Sequence, residues 1–212
     1  MFRDRVDAGK RLAEELLEYK ERDVIVLAIP RGGVIVGYQV AHRLSAPLDL
    51  IIPRKIGAPM NPELAVGAVS QDGTIVLNNE FVKMLRIPES FIKEEAKRQI
   101  WEIERRMKKY RGEGKPLPML KGKTIILVDD GIATGATMRA AVVSIKKQKP
   151  AALVVAVPVG PKDTIMTLKN EADRVVCLET PEFFHAIGQF YEDFRQISDE
   201  EVIQLMEKVS AK

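Results

Sequence analysis

Residues 124–137 read Thr124-Ile125-Ile126-Leu127-Val128-Asp129-Asp130-Gly131-Ile132-Ala133-Thr134-Gly135-Ala136-Thr137. The run that ends at Val128 is short and rich in apolar residues, which is typical of a strand buried on both faces of a parallel sheet. Two acids, Asp129 and Asp130, end the run, and small residues then lead into a predicted helix near 137–147. The stretch therefore predicts a buried strand, a tight loop and a helix in succession.

The same succession of strand and helix recurs along the chain. Apolar runs predict further strands at 24–29, 47–52, 151–157 and 174–178, and helical spacing predicts helices at 6–20, 34–44 and near 162–170. Strands that alternate with helices indicate parallel βαβ units, so we expect an α/β fold with a doubly wound, mostly parallel sheet flanked by helices. In such sheets ligands bind beyond the carboxyl ends of the strands, where the loops after Ile29, Ile52, Val128 and Val157 would lie.

A segment between the second and third predicted strands breaks this alternation. Glycine and proline residues, among them Gly57, Pro59 and Pro62, predict a flexible loop or an irregular hairpin over 55–80, which would act as a mobile lid. Helical spacing then predicts a long helix over 88–111. We expect a single domain over 1–212, with a core at about 1–56 and 119–180, this loop-and-helix insertion at about 57–118 and a C-terminal hood segment at about 181–212.

Composition limits the functional class. The 212 residues are 46% hydrophobic and 30% charged, as in ordinary globular proteins. A net charge of +3 is nearly balanced, so we expect no nucleic-acid partner. No apolar run approaches the ~18 residues that a membrane span needs, so we expect no membrane association. The single cysteine, Cys177, fits a reducing compartment, and we expect a cytoplasmic location.

The acids and the small residues of the opening stretch suit different parts of one ligand. Adjacent carboxylates at Asp129 and Asp130 repel each other and are expected to lack internal partners, so that cis-diol hydroxyls or a divalent cation would satisfy them. Backbone N–H groups at 134–137, at the positive end of the helix dipole, suit a phosphate. The two parts lie about one ribose apart, which predicts a site for a phosphorylated sugar.

Three other classes of protein share parts of this pattern. A P-loop NTPase also needs G-x-x-x-x-G-K-[ST], which does not occur in this sequence. A response-regulator receiver carries its acids near the start of the domain, whereas Asp130 lies past the middle of the chain. Haloacid-dehalogenase phosphatases use Asp-x-Asp-x-Thr, and the spacing here differs. The sugar-phosphate interpretation is therefore favoured over all three.

With these residues, the stretch Leu127–Thr137 resembles the ribosyl-phosphate signature of the type I phosphoribosyltransferases. These enzymes take 5-phosphoribosyl 1-diphosphate (PRPP) and replace its diphosphate with a nitrogen nucleophile, usually a nucleobase. The resemblance covers most of the chain. The stretches Ile29–Gly33 and Pro53–Gly57 and the Phe-rich C-terminal segment are similar to a poorly characterised branch of predicted phosphoribosyltransferases.

The resemblance implies roles for individual residues. It assigns the ribose hydroxyls to Asp129 and Asp130, and the catalytic role to these two acids together with Arg31 and Lys55. By the same resemblance, the 5-phosphate is bound by Ala133, Thr134, Gly135, Ala136 and Thr137, and the diphosphate is bound by Arg31, Gly32, Gly33, Arg54 and Lys55. The acceptor is bound by Phe183 or Phe184. Mg²⁺ is bound by Asp129, Asp130 and Asp193, mostly through the substrate. Because members of the family are usually homodimers, the resemblance also implies a homodimer.

One position departs from the pattern of the 6-oxopurine enzymes. Those enzymes carry an Asp three residues after the acidic pair, close to the base, where it serves in proton transfer; here this position is Ala133. The substitution disfavours hypoxanthine, guanine and xanthine and leaves both the acceptor and any general base open. Two functions therefore remain: phosphoribosyl transfer from PRPP to a nucleobase or related small molecule, or non-catalytic sensing of PRPP or a nucleotide on the same fold.

Overall fold

The computed structural model of the protein describes residues 1–112 and 118–210. Its centre is a five-stranded parallel sheet made of β1 (Val24–Ala28), β2 (Leu48–Leu50), β6 (Thr124–Val128), β7 (Ala152–Val159) and β8 (Arg174–Glu179). The strand order is β2-β1-β6-β7-β8 and every neighbouring pair is parallel. The expected doubly wound α/β fold is therefore confirmed.

Helices cover both faces of this sheet because its strands are apolar on both sides. Along β1, Val24 and Val26 belong to one hydrophobic cluster, while Ile25 and Leu27 belong to a second. The first cluster packs under α1 (Arg5–Glu14) and α2 (Gly32–Leu44), and the second packs under α5 (Ala136–Lys147) and α6 (Lys162–Lys169). Two short 3-10 helices add Leu17–Tyr19 and Ile187–Phe190. Residues 6–20 thus form a shorter α-helix than predicted.

The segment predicted as a flexible loop or irregular hairpin is a three-stranded antiparallel sheet. Its strands are β3 (Arg54–Ala58), β4 (Asn61–Val69) and β5 (Ile75–Leu77), in the order β3-β4-β5. The pairing of β3 with β4 shifts register on both sides of Gly57, so the hairpin is irregular as predicted. The loop interpretation is wrong, because a bulged strand carries the same glycine and proline residues as a loop.

Three further helices complete the described chain. They are α3 (Asn79–Met84), α4 (Glu89–Arg111) and α7 (Asp199–Ser210). The predicted long helix is therefore confirmed, and α7, which was assigned to the hood, contributes Val202 to the first hydrophobic cluster. The domain boundaries stay a prediction, and residues 113–117 and 211–212, at the end of the insertion and of the hood, lie outside the described residues. Within the described residues, no helix is long and apolar enough to cross a bilayer.

Candidate functional site

The strand order places the site at the carboxyl ends of β1 and β6. These strands are neighbours, with Ala28 in register with Val128, and their connections lead to helices on opposite faces of the sheet. A crevice opens at such a switch point, because the two following loops leave in opposite directions. The amide of Ile29 donates to the carbonyl of Val128 (2.9 Å), so both loops begin from one fixed point.

The start of α2, which follows the loop after β1, packs directly on the acidic pair that follows β6. A Cβ added at Gly32 would lie 1.9 Å from Oδ2 of Asp130, and one added at Gly33 would lie 2.8 Å from Oδ1 of Asp129. Only glycine permits so close an approach of backbone to carboxylate. The structure thus brings together Gly32, Gly33, Asp129 and Asp130. The two glycines leave the space that the two carboxylates occupy. The peptide bond between Pro30 and Arg31 in this loop is cis.

The expectation that both carboxylates lack internal partners is wrong for Asp130. Arg5 Nε donates to its Oδ2 at 2.6 Å, and both side chains are nearly buried. The hydroxyl of Tyr191 donates to the backbone carbonyl of Asp130, also at 2.6 Å. Burial of a charge requires such pairing, since an isolated buried carboxylate would be strongly destabilised. Asp130 is therefore held through both its side chain and its backbone.

Sequence reasoning missed Arg5, although the sequence contains a signal for it. The buried residues of α1 include Arg5, Ala8, Gly9 and Leu12, which are spaced i, i+3, i+4 and i+7. This is the spacing of the face that a helix turns to the core. An arginine at the first position of that stripe indicates a buried cation, and a buried cation requires an acidic partner elsewhere in the chain.

Asp129 differs from its neighbour in its electrostatic environment. Burial, and then the adjacent charge of Asp130, raise the pKa of Asp129 well above its ordinary value. One oxygen of Asp129, Oδ1, accepts from the backbone N–H of Asp130 at 2.8 Å. A carboxylate in such surroundings gains from new hydrogen-bond donors or a cation. The arrangement thus suits hydroxyl groups or a divalent ion brought in by a ligand.

The predicted phosphate loop leads into α5 without a capping side chain. Gly135 is the N-cap, has a positive φ of 77° and offers no side chain, so none closes the first turn. A Cβ there would also meet Cγ2 of Thr164 at 2.6 Å. Ala133 and Thr134 are exposed, and Ala136 and Thr137 are partly buried. Orphan N–H groups at a helix start, backed by the helix dipole, form an anion-binding arrangement.

Arg31 lies beside this crevice but is engaged by the C-terminal helix. Its Nη1 is 3.5 Å from Oδ1 of Asp199, and about 40% of its side chain is exposed. Asp199 has tighter partners in Lys109 Nζ (2.7 Å) and the Tyr110 hydroxyl (2.5 Å), and the hydrogen bond from Lys109 contributes most to lowering the pKa of Asp199 to about 2. Among these three partners of Asp199, Arg31 therefore makes the longest contact.

Arg54 and Lys55 lie on β3, where their described partners belong to the insertion. Arg54 Nε donates to Oε1 of Gln99 on α4 (2.5 Å), and Lys55 Nζ pairs with Glu63 (2.7 Å). Burial, and then the nearby charge of Arg106, lower the pKa of Arg54. The described hydrogen bonds and ion pairs do not join either residue to the loops after β1 and β6, so their diphosphate role stays a prediction.

The two residues predicted to bind the acceptor, Phe183 and Phe184, have different surroundings in the C-terminal segment. Phe184 stacks on Phe190 with ring centroids 5.5 Å apart, whereas Phe183 is 75% exposed. Asp193 is exposed, and its Oδ1 accepts from the backbone N–H of Arg195. Among the described residues, no group of three or more His, Cys, Asp and Glu side chains is placed to hold a metal ion. Metal binding by Asp193 stays a prediction.

Fold and site together define an α/β protein with an acidic pair and an uncapped helix start at the switch point of its sheet. The family model described as Phosphoribosyl transferase domain matches residues 3–195, so the chain belongs to that family, as the resemblance implies. In two strains of Mycobacterium tuberculosis, proteins named "Putative phosphoribosyl transferase" are 42% identical over 208 residues. The match covers 98% of this chain and 47% of each relative, so the chain spans about half the length of the curated relatives it matches.

Solved structures agree with the fold. The crystal structure of TT1426 from Thermus thermophilus is 41% identical, with a TM-score of 0.82 and 98% of each chain covered. The purine phosphoribosyltransferase from Pyrococcus horikoshii is 20% identical, with a TM-score of 0.50 over 93% of this chain and 97% of that chain. At that identity the second likeness concerns the fold alone.

Proposed function

We propose that the protein catalyses transfer of the 5-phosphoribosyl group from PRPP to a nitrogen nucleophile, with release of diphosphate. The observation that carries the proposal is the meeting, at one switch point, of Asp129 and Asp130 with Gly32 and Gly33 at the start of α2 and with the uncapped start of α5. Membership of the phosphoribosyl transferase domain family supports the proposal. The acceptor would be a nucleobase or a related small molecule.

The donor would be held by two kinds of group. The carboxylates of Asp129 and Asp130 would accept hydrogen bonds from the ribose hydroxyls, and the backbone N–H groups of 133–137 would bind the 5-phosphate. The hydroxyls of Thr134 and Thr137 would add donors. Fixing the sugar and excluding water account for most of the expected rate enhancement, because the leaving group departs as a stable anion. The two carboxylates would also favour positive charge at the ribose ring.

The diphosphate would lie against the loop after β1. The backbone at Gly32 and Gly33 approaches the acidic pair closely, and Arg31 would turn from Asp199 to the diphosphate. A 3.5 Å ion pair with a partly exposed guanidinium is weak, so the exchange requires little free energy. Arg54 and Lys55 are proposed as further cations for the diphosphate.

The residues at the crevice fit a magnesium ion held mainly by the substrate. Mg²⁺ in phosphate-transfer sites is bound through one or two carboxylates together with substrate phosphates and water. The paired acids Asp129 and Asp130 supply such carboxylates, and Asp129 in particular is destabilised as a bare anion. When bound, the ion would neutralise charge on the departing diphosphate.

A second candidate is a non-catalytic sensor of PRPP or a nucleotide. The observation that favours it is the exposed Ala133, which stands where 6-oxopurine enzymes carry their proton-transfer acid. A sensor needs the donor site but no acid or base for the acceptor. Proton release from a sufficiently acidic acceptor would make that base unnecessary, so the two functions differ in turnover and not in donor binding.

Turnover with a panel of acceptors tests the proposal. The protein would be incubated with PRPP and Mg²⁺, and release of diphosphate would be measured for nucleobases and small amines. We expect release with at least one acceptor and, in Asp129→Asn, a rate at least about tenfold lower. Asp23→Asn is the matched control, because Asp23 pairs with Lys123 at the opposite, amino edge of the same two strands.

Two results would separate the candidates. Calorimetric binding of PRPP without diphosphate release for any acceptor would favour the sensor over the enzyme. Absence of both PRPP binding and diphosphate release would contradict both the enzyme and a PRPP sensor. The homodimer is likewise a proposal, and light scattering of the purified protein would test it.

A further inference from the structure

Arg5 is a nearly buried cation that the proposed reaction does not use. It is 7% exposed, and it comes from the first turn of α1, far in sequence from the loops of the site. Burying an arginine is costly unless its charge and its N–H groups are satisfied. Its contacts are therefore informative, and they connect three parts of the site.

The first contact is with the acidic pair. Nε of Arg5 donates to Oδ2 of Asp130 at 2.6 Å, a charge-assisted hydrogen bond in a setting with little water. Arg5 thereby fixes the rotation of the Asp130 carboxylate, so that its second oxygen, Oδ1, points in a defined direction. Gly32 closes over the same ion pair, since a Cβ there would lie 2.7 Å from Arg5 Nε.

The second set of contacts is with the C-terminal segment. The guanidinium carbon of Arg5 lies 3.8 Å from the ring centroid of Phe194, within the range of a cation–π interaction. Nη1 of Arg5 donates to the carbonyl of Arg195 at 2.9 Å. Tyr191, from the same segment, donates to the backbone carbonyl of Asp130. Residues 191–195 thus hold Asp130 directly through Tyr191 and indirectly through Arg5.

We propose that Arg5 is a positioning residue of the donor site: it orients Asp130 toward a ribose hydroxyl and makes that orientation depend on the folded 191–195 segment. The inference rests on the proposed function for the identity of the sugar. It assigns Arg5 no contact with substrate. Arg5 acts through Asp130, and Phe194 acts through Arg5.

Three variants test the inference against a matched control. Arg5→Gln removes the charge, Arg5→Lys keeps it without the planar fork, and Phe194→Leu removes the ring under the guanidinium. The control is Arg11→Gln, on the same helix, where Arg11 also pairs with an acid (Asp7) and approaches an aromatic ring but is about half exposed. Calorimetry would give the affinity of each variant for ribose 5-phosphate and for inorganic phosphate, and thermal unfolding would verify that each variant is folded.

We expect Arg5→Gln to weaken ribose 5-phosphate binding by roughly tenfold or more, the loss expected for a hydrogen bond to a misplaced charged group. Affinity for inorganic phosphate should be unchanged, because phosphate binds at α5. Arg5→Lys should recover part of the loss, Phe194→Leu should show a smaller loss of the same kind, and Arg11→Gln should show none. If Arg5→Gln does not fold, the other two variants decide.

Three outcomes would overturn the inference. Arg5→Gln could lose affinity equally for ribose 5-phosphate and for inorganic phosphate, or no Arg5 or Phe194 variant could lose affinity for ribose 5-phosphate. The third outcome is that Arg11→Gln loses as much affinity for ribose 5-phosphate as Arg5→Gln does. Failure of wild type to bind ribose 5-phosphate would overturn it as well. Failure of the proposed function has a different signature, since wild type would then bind ribose 5-phosphate and release no diphosphate from PRPP.

Discussion

Replacing Gly32 by alanine tests whether the start of α2 is packed on the acidic pair. The added Cβ would lie 1.9 Å from Oδ2 of Asp130, 2.6 Å from its Cγ and 2.7 Å from Nε of Arg5. Favourable heavy-atom contacts begin at about 3.5 Å, so the carboxylate would have to withdraw by roughly 1.5 Å. The 2.6 Å ion pair with Arg5 opposes that movement.

The loss of stability expected for Gly32→Ala can be bounded by two known effects. Overpacking a core costs ~1–3 kcal/mol, and breaking a buried ion pair costs ~3–5 kcal/mol, so we expect Gly32→Ala to lower the free energy of unfolding by about 2–4 kcal/mol. Without the clash the sign would reverse, because alanine in a helix is more stable than glycine by ~0.5–1 kcal/mol. Gly32 is the first residue of α2.

Urea unfolding followed by circular dichroism measures the free energy of unfolding, and calorimetry measures the affinity for ribose 5-phosphate. Gly37→Ala, on the same helix, is the control, because its Cβ would meet only aliphatic carbons, at 2.9 Å on Ala28 and 3.3 Å on Leu48. We expect this control to lose stability while keeping its affinity for ribose 5-phosphate. An unchanged or higher stability of Gly32→Ala, or an equal loss of binding in Gly37→Ala, would refute the reasoning.

Three further predictions follow from the contacts around the site. Tyr191→Phe leaves the buried carbonyl of Asp130 without its 2.6 Å donor and should lower the free energy of unfolding by ~1–3 kcal/mol, measured in urea; an unchanged urea midpoint would contradict this. The pKa of Asp199 is lowered to about 2, chiefly by Lys109, so Asp199 stabilises the fold above about pH 4, the pKa of an unfolded Asp, and this contribution is lost as pH falls toward 2. Asp199→Asn should therefore lose less stability than wild type between those pH values, and equal slopes of the urea midpoint against pH would rule out the contribution. Burial raises the pKa of Cys177 to about 11, so Cys177 should react with a thiol reagent at pH 8 much more slowly in the native than in the urea-unfolded protein; equal rates would exclude such protection.

The sequence predicts the centre of the parallel sheet well because β1, β6 and β7 are nearly continuous apolar runs with clear ends. The predicted third strand of the sheet, 124–128, coincides with β6, and the acids that follow it do lie at the carboxyl edge. The pattern states both where the strand stops and which residues the sheet delivers to the ligand edge. The family could therefore be inferred before the fold was known.

The sequence could not decide between a flexible loop and an irregular hairpin over 55–80, because the glycines there are required by contacts with the paired strand. A Cβ at Gly57 would lie 2.5 Å from the carbonyl oxygen of Pro62, and one at Gly67 would lie 2.6 Å from that of Val76. Both glycines thus allow close approach of paired strands at or near a bulge. Local composition is the same for a loop and for such a strand, so the distinction depends on pairing.

The pairing of Arg5 with Asp130 could not be predicted for a related reason, although the helical stripe of α1 indicates a buried cation at Arg5. Charge repulsion between Asp129 and Asp130 is visible in the sequence, but the cation that relieves it comes from another helix. The same holds for Arg31, whose ion pair with Asp199 depends on how α7 packs. A motif shows which groups need partners, and only the fold shows which of them already have one.

The joining of Phe2 to Tyr191 has a consequence for how the protein forms during synthesis. Phe2 and Tyr191 form a parallel bridge, Arg5 reaches Asp130 across 125 positions, and it reaches the carbonyl of Arg195 across 190. Contacts of such long sequence separation form late, because the closure of large loops must precede them. A nascent chain that has not yet emerged to Arg195 would have the strands of the sheet and the two acids, but Arg5 would lack its contacts with Phe194 and Arg195. Binding of ribose 5-phosphate should therefore appear abruptly once residues 191–195 have joined the fold, rather than grow with chain length.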